Sequence, residues 1–185
     1  LYHKNDPELK MTLKEIAALL GDTGGPITGK SHINPGGQEG SYAANIVDVK
    51  VDPETGKVEI LKVTAFQDVG KAIHRAYVEG QIQGGTTQGI GWAINEEYFM
   101  LDGQMKNNTF LDYRMPTSLD LPMIDPVIIE VFNPNHPFGV KGVGESNIVP
   151  PLAAVSHAVY NAIGKRIYEL PINPETIIRT LNGKL

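Results

Sequence analysis

Between Val78 and Glu97 the sequence has the spacing of a helix, yet it carries five glycines: Gly80, Gly84, Gly85, Gly89 and Gly91. Each glycine in a helix interior costs about 0.8–1 kcal/mol relative to alanine, so five disfavour the isolated helix by roughly 4–5 kcal/mol. Such a helix forms only where something packs very close to its backbone and offsets that cost. Gln81, Gly85 and Gln88 stand at i, i+4 and i+7 and share one stripe of it. Two readings of the stripe are open. It can be a tight helix–helix contact through small residues with solvated glutamines. Alternatively, the two amides can hydrogen-bond a large polar ligand lying against the backbone.

A second stretch, Gly139 to Pro151, reads Gly-Val-Lys-Gly-Val-Gly-Glu-Ser-Asn-Ile-Val-Pro-Pro. It places one carboxylate, Glu145, after three glycines and before two prolines. Glycine lets the chain bend tightly or approach a bulky partner, and Pro150 and Pro151 suit the first turn of a helix. The spacing predicts a bent loop that presents Glu145 just ahead of a helix. A solvated surface acid is the plain alternative.

The composition narrows the classes. With 185 residues, 41% hydrophobic and 20% charged, the chain can bury a sizeable core as one domain or two small lobes. No apolar run approaches the ~18–20 residues that span a bilayer. A net charge of −5 without a Lys/Arg cluster argues against nucleic acid and anionic membranes as partners. Cysteine is absent, which excludes disulfides, thiol catalysis and a cysteine-held iron–sulfur cluster within this chain. The first residue is Leu1 rather than Met, which suggests a piece of a longer chain or of a split subunit.

Thr12 to Leu20 predicts a helix with Thr12 as N-cap and Gly21 as the C′ residue. Gly24-Gly25-Pro26 and Asn34-Pro35-Gly36-Gly37 are turn chemistry. Ser41–Val51 and Val58–Phe66 alternate as two strands joined through Asp52–Gly56, a β-hairpin with Gly56 in the left-handed position. Phe110 to Thr117 reads as extended, with Arg114 in a structural ion pair or hydrogen bond beside Asp112 and Tyr113. Val127 to Phe132, rich in β-branched residues, predicts a buried strand. Leu152 to Ile163 predicts a helix with Leu152, Val155, Val159, Ala162 and Ile163 on one face and Gly164 closing it. Asn173-Pro174-Glu175 opens a last helix that runs through Leu181. Interleaved helices and strands with an antiparallel hairpin predict an α+β fold rather than a doubly wound sheet.

The Gly-Val-Gly-Glu loop followed by Leu152-Ala153-Ala154 resembles the C-terminal signature of the molybdenum hydroxylases, the xanthine dehydrogenase and aldehyde oxidase family. Further blocks resemble it in the same order. They are Ser41-Tyr42-Ala43, Asp68-Val69-Gly70-Lys71-Ala72-Ile73, Val78 to Gly85, Gln88-Gly89-Ile90-Gly91, Tyr113 to Thr117 and Leu170-Pro171. From about Gln38 to Leu181 the chain looks collinear with the C-terminal part of the large, molybdenum-binding subunit.

The resemblance implies that residues 1–185 are a C-terminal molybdopterin-binding lobe, with a β-hairpin, mixed strands and packed helices. It implies Glu145 as general base, taking the proton of the hydroxyl that attacks an electrophilic carbon while water supplies the oxygen. Cofactor contacts carry over to Gln81, Gly84, Gly85, Gln88, Gly142, Val143 and Gly144, with Gln88 and its neighbouring glycines the weaker assignment. The implied cofactor is molybdopterin with Mo in its cytosine dinucleotide form, the metal being held by the pterin dithiolene and not by this chain's histidines. Implied partners are the rest of the large subunit, an iron–sulfur subunit and an FAD subunit, with a small-molecule substrate, in the cytoplasm. Where many relatives carry Asn-Pro or His-Pro after the Asp-Val-Gly block, this chain has His74-Arg75. Two rivals stand beside this reading. One is a non-catalytic assembly module. The other is a metal-free hydrolase using carboxylates, which would need a second acid that the sequence does not identify.

Overall fold

The computed structural model describes residues 1–32 and 40–183, so the expected turn at Asn34-Pro35-Gly36-Gly37 lies outside the described residues. The chain divides into two units, residues 1–34 and 35–185. In the first, β1 (Tyr2–His3) and β2 (Asp6–Lys10) pair antiparallel and α1 spans Leu13–Leu19. Thr12 caps α1 as expected. Its hydroxyl accepts from Glu15 N at 3.2 Å, and the Glu15 carboxylate accepts from Thr12 N at 2.7 Å, a reciprocal capping box. Gly21 follows the cap residue Leu20, but the left-handed glycines are Gly24 and Gly25, so the chain turns later than expected.

The second unit is an α+β arrangement around a three-stranded sheet in the order β3-β4-β7. Strands β3 (Ala43–Val51) and β4 (Val58–Asp68) form the predicted antiparallel hairpin, and Gly56 takes φ 73° at its turn. The alternation along β4 breaks once. Asp48 pairs with Lys62 and Val49 with Ile60, leaving Leu61 as the extra residue of a bulge. The buried positions are therefore Ile60, Val63, Ala65 and Gln67. After β4 the chain crosses through α2 (Arg75–Ile94) and an arm carrying the small hairpin of β5 (Met100–Leu101) and β6 (Gln104–Met105). It then returns as β7 (Ile124–Ile129), parallel to β4. The apolar run expected as a buried strand over Val127–Phe132 is instead an edge strand three residues earlier. Its Val127 and Ile128 are half-buried, while Val131 and Phe132 beyond it are exposed. A single partner and cover on one face leave it less enclosed than its composition suggests.

Helix α3 (Pro150–Ile163) starts on the two prolines and ends at Gly164 with φ 70°. Pro151, Val155 and Val159 are its fully buried side chains; Ala162, expected on the same face as the two valines, is exposed. Helix α4 (Pro174–Leu181) is capped by Asn173, whose side chain accepts from Thr176 N at 2.9 Å. The core joins Val63 and Ala65 of β4 to Ile82, Ile90 and Ala93 of α2, Val155 and Val159 of α3, and Ile172 and Ile177.

The glycine-rich helix begins three residues before the predicted start, capped by His74, and stops at Ile94 rather than Glu97. At the early stop the chain folds back so that Glu96 N donates to Gly91 O at 2.8 Å. The Glu96 carboxylate and Pro116 then fill the space that a side chain at Gly91 would need. Tyr113 donates its hydroxyl to Glu96 at 2.7 Å, and this bond together with burial pushes the phenol up to about 12. The segment Phe110–Asp112 is a turn, not extended, and Arg114 has no ion pair or hydrogen bond among the described residues.

The close packing that five glycines demand is present at three of them. Gly85 faces Asn147, Gly91 faces Glu96 and Pro116, and Gly89 touches the loop before α3. A methyl group at Gly89 would fall onto the Ile148 carbonyl and within 2.8 Å of Pro151 Cγ. Gly80 and Gly84 instead face open space. Gly89→Ala is expected to destabilise the chain by about 1–3 kcal/mol through overpacking. Gly84→Ala is expected to stabilise it by about 0.5–1 kcal/mol through better helix propensity. Urea unfolding midpoints of the two variants check both signs.

Candidate active site

The site is built on the end of β4, where two polar side chains are buried beside a glycine. Asp68 and Lys141 form an ion pair, Nζ to Oδ2 2.7 Å, with their side chains only 10% and 4% exposed. Asp68 Oδ1 also accepts from Gly70 N at 3.0 Å and from Val131 N at 3.3 Å. Burial alone would raise this carboxyl. The Lys141 ammonium and the two backbone amides outweigh it and hold the group below the usual carboxylate range.

The same stretch holds the backbone of the acidic loop. Lys141 N donates to Val69 O and Lys71 N to Gly139 O, both at 2.9 Å. Gly70, at φ 66°, lets the two segments meet, since a side chain there would strike the Gly139 carbonyl and come within 2.8 Å of Lys141 N. Gln67, fully buried, donates through Nε2 to Gly142 O at 3.0 Å and Val143 O at 3.3 Å, and its Oε1 accepts from the side-chain amide of Asn147. On the far side, Gly85 and Gly89 of α2 make room for Asn147 and Ile148.

Glu145 stands at the apex of this loop, exposed, where Ile148 N donates to its carbonyl at 3.1 Å. Among the described residues its carboxylate has no hydrogen-bond or ion-pair partner. Gln81 Oε1 lies 3.9 Å from where a Cβ on Gly144 would stand. The fold therefore gathers Glu145, Gly142, Val143, Gly144, Gln81 and Gly85 into one place, with Gly84 on the open side of the same helix. Gln88 is exposed and has no hydrogen bond to this cluster among the described residues.

Four residues central to the site are not singled out as such by the sequence. Lys141 and Asn147 carry no local signal beyond their place in the loop. Asp68 stands in the sequence only as the first residue of the Asp-Val-Gly block, with no sign of a buried partner. Gln67 had a signal: it falls on the inward side of β4 with Val63 and Ala65, where a polar side chain demands a partner.

Gly84 and Gly142 each have no heavy atom within 4 Å of where a Cβ would stand, so the backbone is open at both. The family described as "Molybdopterin cofactor-binding domain" matches residues 1–122. The chain is 34% identical over 172 residues to the putative xanthine dehydrogenase molybdenum-binding subunit of Escherichia coli K12, covering 90% of this chain and 23% of that protein. It is 40% identical over 147 residues to the nicotine 6-hydroxylase large subunit of Paenarthrobacter nicotinovorans, covering 77% of this chain and 18% of that one. Among solved structures, quinoline 2-oxidoreductase from Pseudomonas putida 86 superposes with TM-score 0.69 at 38% identity, over 72% of this chain and 18% of that one.

The chain belongs to the molybdopterin cofactor-binding domain family, among the molybdenum-binding subunits of the xanthine dehydrogenase and aldehyde oxidoreductase group. It spans only 15–25% of the length of the curated relatives it matches.

The Asp68–Lys141 pair has a pH signature. Because the folded-state carboxyl sits below its ordinary value of 3.8, its contribution is fully present above that pH. It is lost as pH falls through the lower folded-state value. Asp68→Asn is therefore expected to flatten the acid limb of a stability-against-pH curve. Lys141→Met, which removes the counter-charge from a buried carboxylate, is expected to cost about 3–5 kcal/mol at neutral pH. Urea denaturation from about pH 3 to pH 7 measures both.

Proposed function

We propose that this chain is the C-terminal cofactor-binding part of a molybdenum hydroxylase, in which Glu145 is the general base for hydroxylation of an N-heterocycle or aldehyde. One observation carries the reading: Glu145 is an exposed carboxylate, without a hydrogen-bond or ion-pair partner among the described residues, at the tip of a loop anchored on both sides and preceded by the open Gly142. Gln81, Gly84, Gly85 and the backbone of Gly142, Val143 and Gly144 are the residues that would hold the cofactor, with Gln88 at the margin. When bound, the molybdenum cofactor supplies the two-electron oxidation of the substrate carbon.

The residues of this chain supply the rest. The Glu145 carboxylate accepts the proton of the attacking oxygen, which requires it ionised and within about 2.6–3.2 Å of that oxygen. An acid with no internal partner keeps both oxygens available for that transfer. The buried anchors at Gln67, Asp68 and Lys141 keep the backbone beneath it from drifting.

Relatives named as a nicotine hydroxylase subunit, a quinoline oxidoreductase and an aldehyde oxidoreductase support the two substrate classes. The cytosine dinucleotide form of molybdopterin, and iron–sulfur and FAD groups on partner chains, belong to the same proposal, as does a cytoplasmic setting. None of the helices among the described residues is long and apolar enough to cross a membrane. Phe110, Leu111 and Leu119 are 85%, 85% and 96% exposed, which supports a chain packed against the remainder of a larger subunit.

Glu145→Gln in the complete enzyme is nearly isosteric and removes the base. Turnover is expected to fall by about 10²–10⁴-fold, with molybdenum content at the wild-type level. Turnover retained by this variant would reject the role given to Glu145. Molybdenum and cytosine nucleotide are expected in the complete assembly and absent from residues 1–185 alone, as elemental analysis and nucleotide release would measure.

A further inference from the structure

We infer that Gln67 is a positioning residue for Glu145, tying together the two sides of the loop apex with one buried amide; the inference rests on the general-base reading above. The apex itself is Gly144-Glu145-Ser146. Glycines at 142 and 144 give the chain leading to Glu145 more backbone freedom than any other residue would. Nothing among the described residues holds the carboxylate directly, so its position is set by what fixes the backbone on either side.

Gln67 reaches both sides. Its Nε2 donates to the carbonyls of Gly142 and Val143 before the apex, at 3.0 and 3.3 Å, and its Oε1 accepts from the Asn147 amide after it. Only a side-chain amide can do this, because it carries a donor pair and an acceptor at one tip. A glutamate could accept from Asn147 but could not donate to the carbonyls. A methionine of similar shape would do neither.

The anchor is stiff for two reasons. Gln67 and Asn147 are both fully buried, so water does not compete for these bonds. Gln67 also lies on the central strand of the sheet, in register with Ala43 of β3 and Ile128 of β7. Ser41 Oγ, 3.4 Å from Nε2, completes its surroundings. The position of the base is thus referred to the sheet rather than to the loop. A displacement of about 1 Å at such a group can cost on the order of 10²-fold in rate.

The test uses the complete cofactor-loaded enzyme with Gln67→Met, and Asn147→Ala as a second variant that leaves the Gln67 bonds to the carbonyls in place. For Gln67→Met, kcat is expected to fall about 10–100-fold. KM stays within twofold, molybdenum content is unaltered, and amide hydrogen exchange is faster only in the peptide spanning Gly142 to Ile148. Asn147→Ala is expected to give the same pattern with a smaller fall, and it decides the matter if Gln67→Met does not fold.

Wild-type kcat in the folded variant would overturn the inference. So would a loss of molybdenum matching the loss of activity, which would make Gln67 a cofactor or folding residue. The general-base reading fails separately: if Glu145→Gln keeps its turnover, that reading falls and this inference falls with it. A dead Glu145→Gln beside a fully active Gln67→Met rejects this inference alone.

Discussion

The buried pair of Asp68 and Lys141 is the constraint on which the rest of the site depends. Removing two charges from water costs several kcal/mol each, and only close attraction with further hydrogen bonds recovers it. Asp68 has both: the ammonium at 2.7 Å and the amides of Gly70 and Val131. This geometry is met only when the end of β4, the chain after β7 and the acidic loop lie together. An alternative path for the loop would leave a buried carboxylate uncompensated, so the pair specifies the loop as much as it stabilises it.

Helix α2 shows how one element serves two purposes through its glycines. On one side Gly85, Gly89 and Gly91 are filled by Asn147, Ile148, Pro151, Glu96 and Pro116. On the other, Gly80 and Gly84 face open space and Gln81 reaches toward Gly144. Of the two readings that the sequence left open for this stripe, close packing is present at Gly85, which faces Asn147. The inner glycines are packing, and the outer ones leave the helix backbone open. The helix cost of the inner glycines is offset by close contact within the chain, whereas Gly80 and Gly84 have no such contact among the described residues.

Much of the fold was legible because local chemistry decides it. Thr12 and Glu15 form their capping box, Gly56 turns the hairpin, Pro150 and Pro151 open α3, and Asn173 caps α4. Each is a matter of a few neighbouring residues and their backbone preferences. The misreadings are tertiary in origin. Val127–Phe132 has a buried strand's composition but lies at an edge, Ala162 faces out, and α2 stops early where Glu96 turns back onto Gly91. No residue preference within those segments reports on such partners.

The candidate site divides in the same way. The sequence alone determined that Glu145 sits in a glycine-bent loop ahead of a helix, and that a glycine-rich helix with Gln81 needs a close neighbour, because glycine and proline act on the backbone locally. That these two stretches are each other's neighbours was decided by the tertiary structure. So was the choice of Gln67, Asp68, Lys141 and Asn147 as the groups that join them. Gln67 and Asn147 are 80 residues apart in the chain, and Asp68 and Lys141 are 73 apart. A buried hydrogen bond or ion pair between such distant residues is set by the packing of the sheet against its helices, which no local pattern encodes.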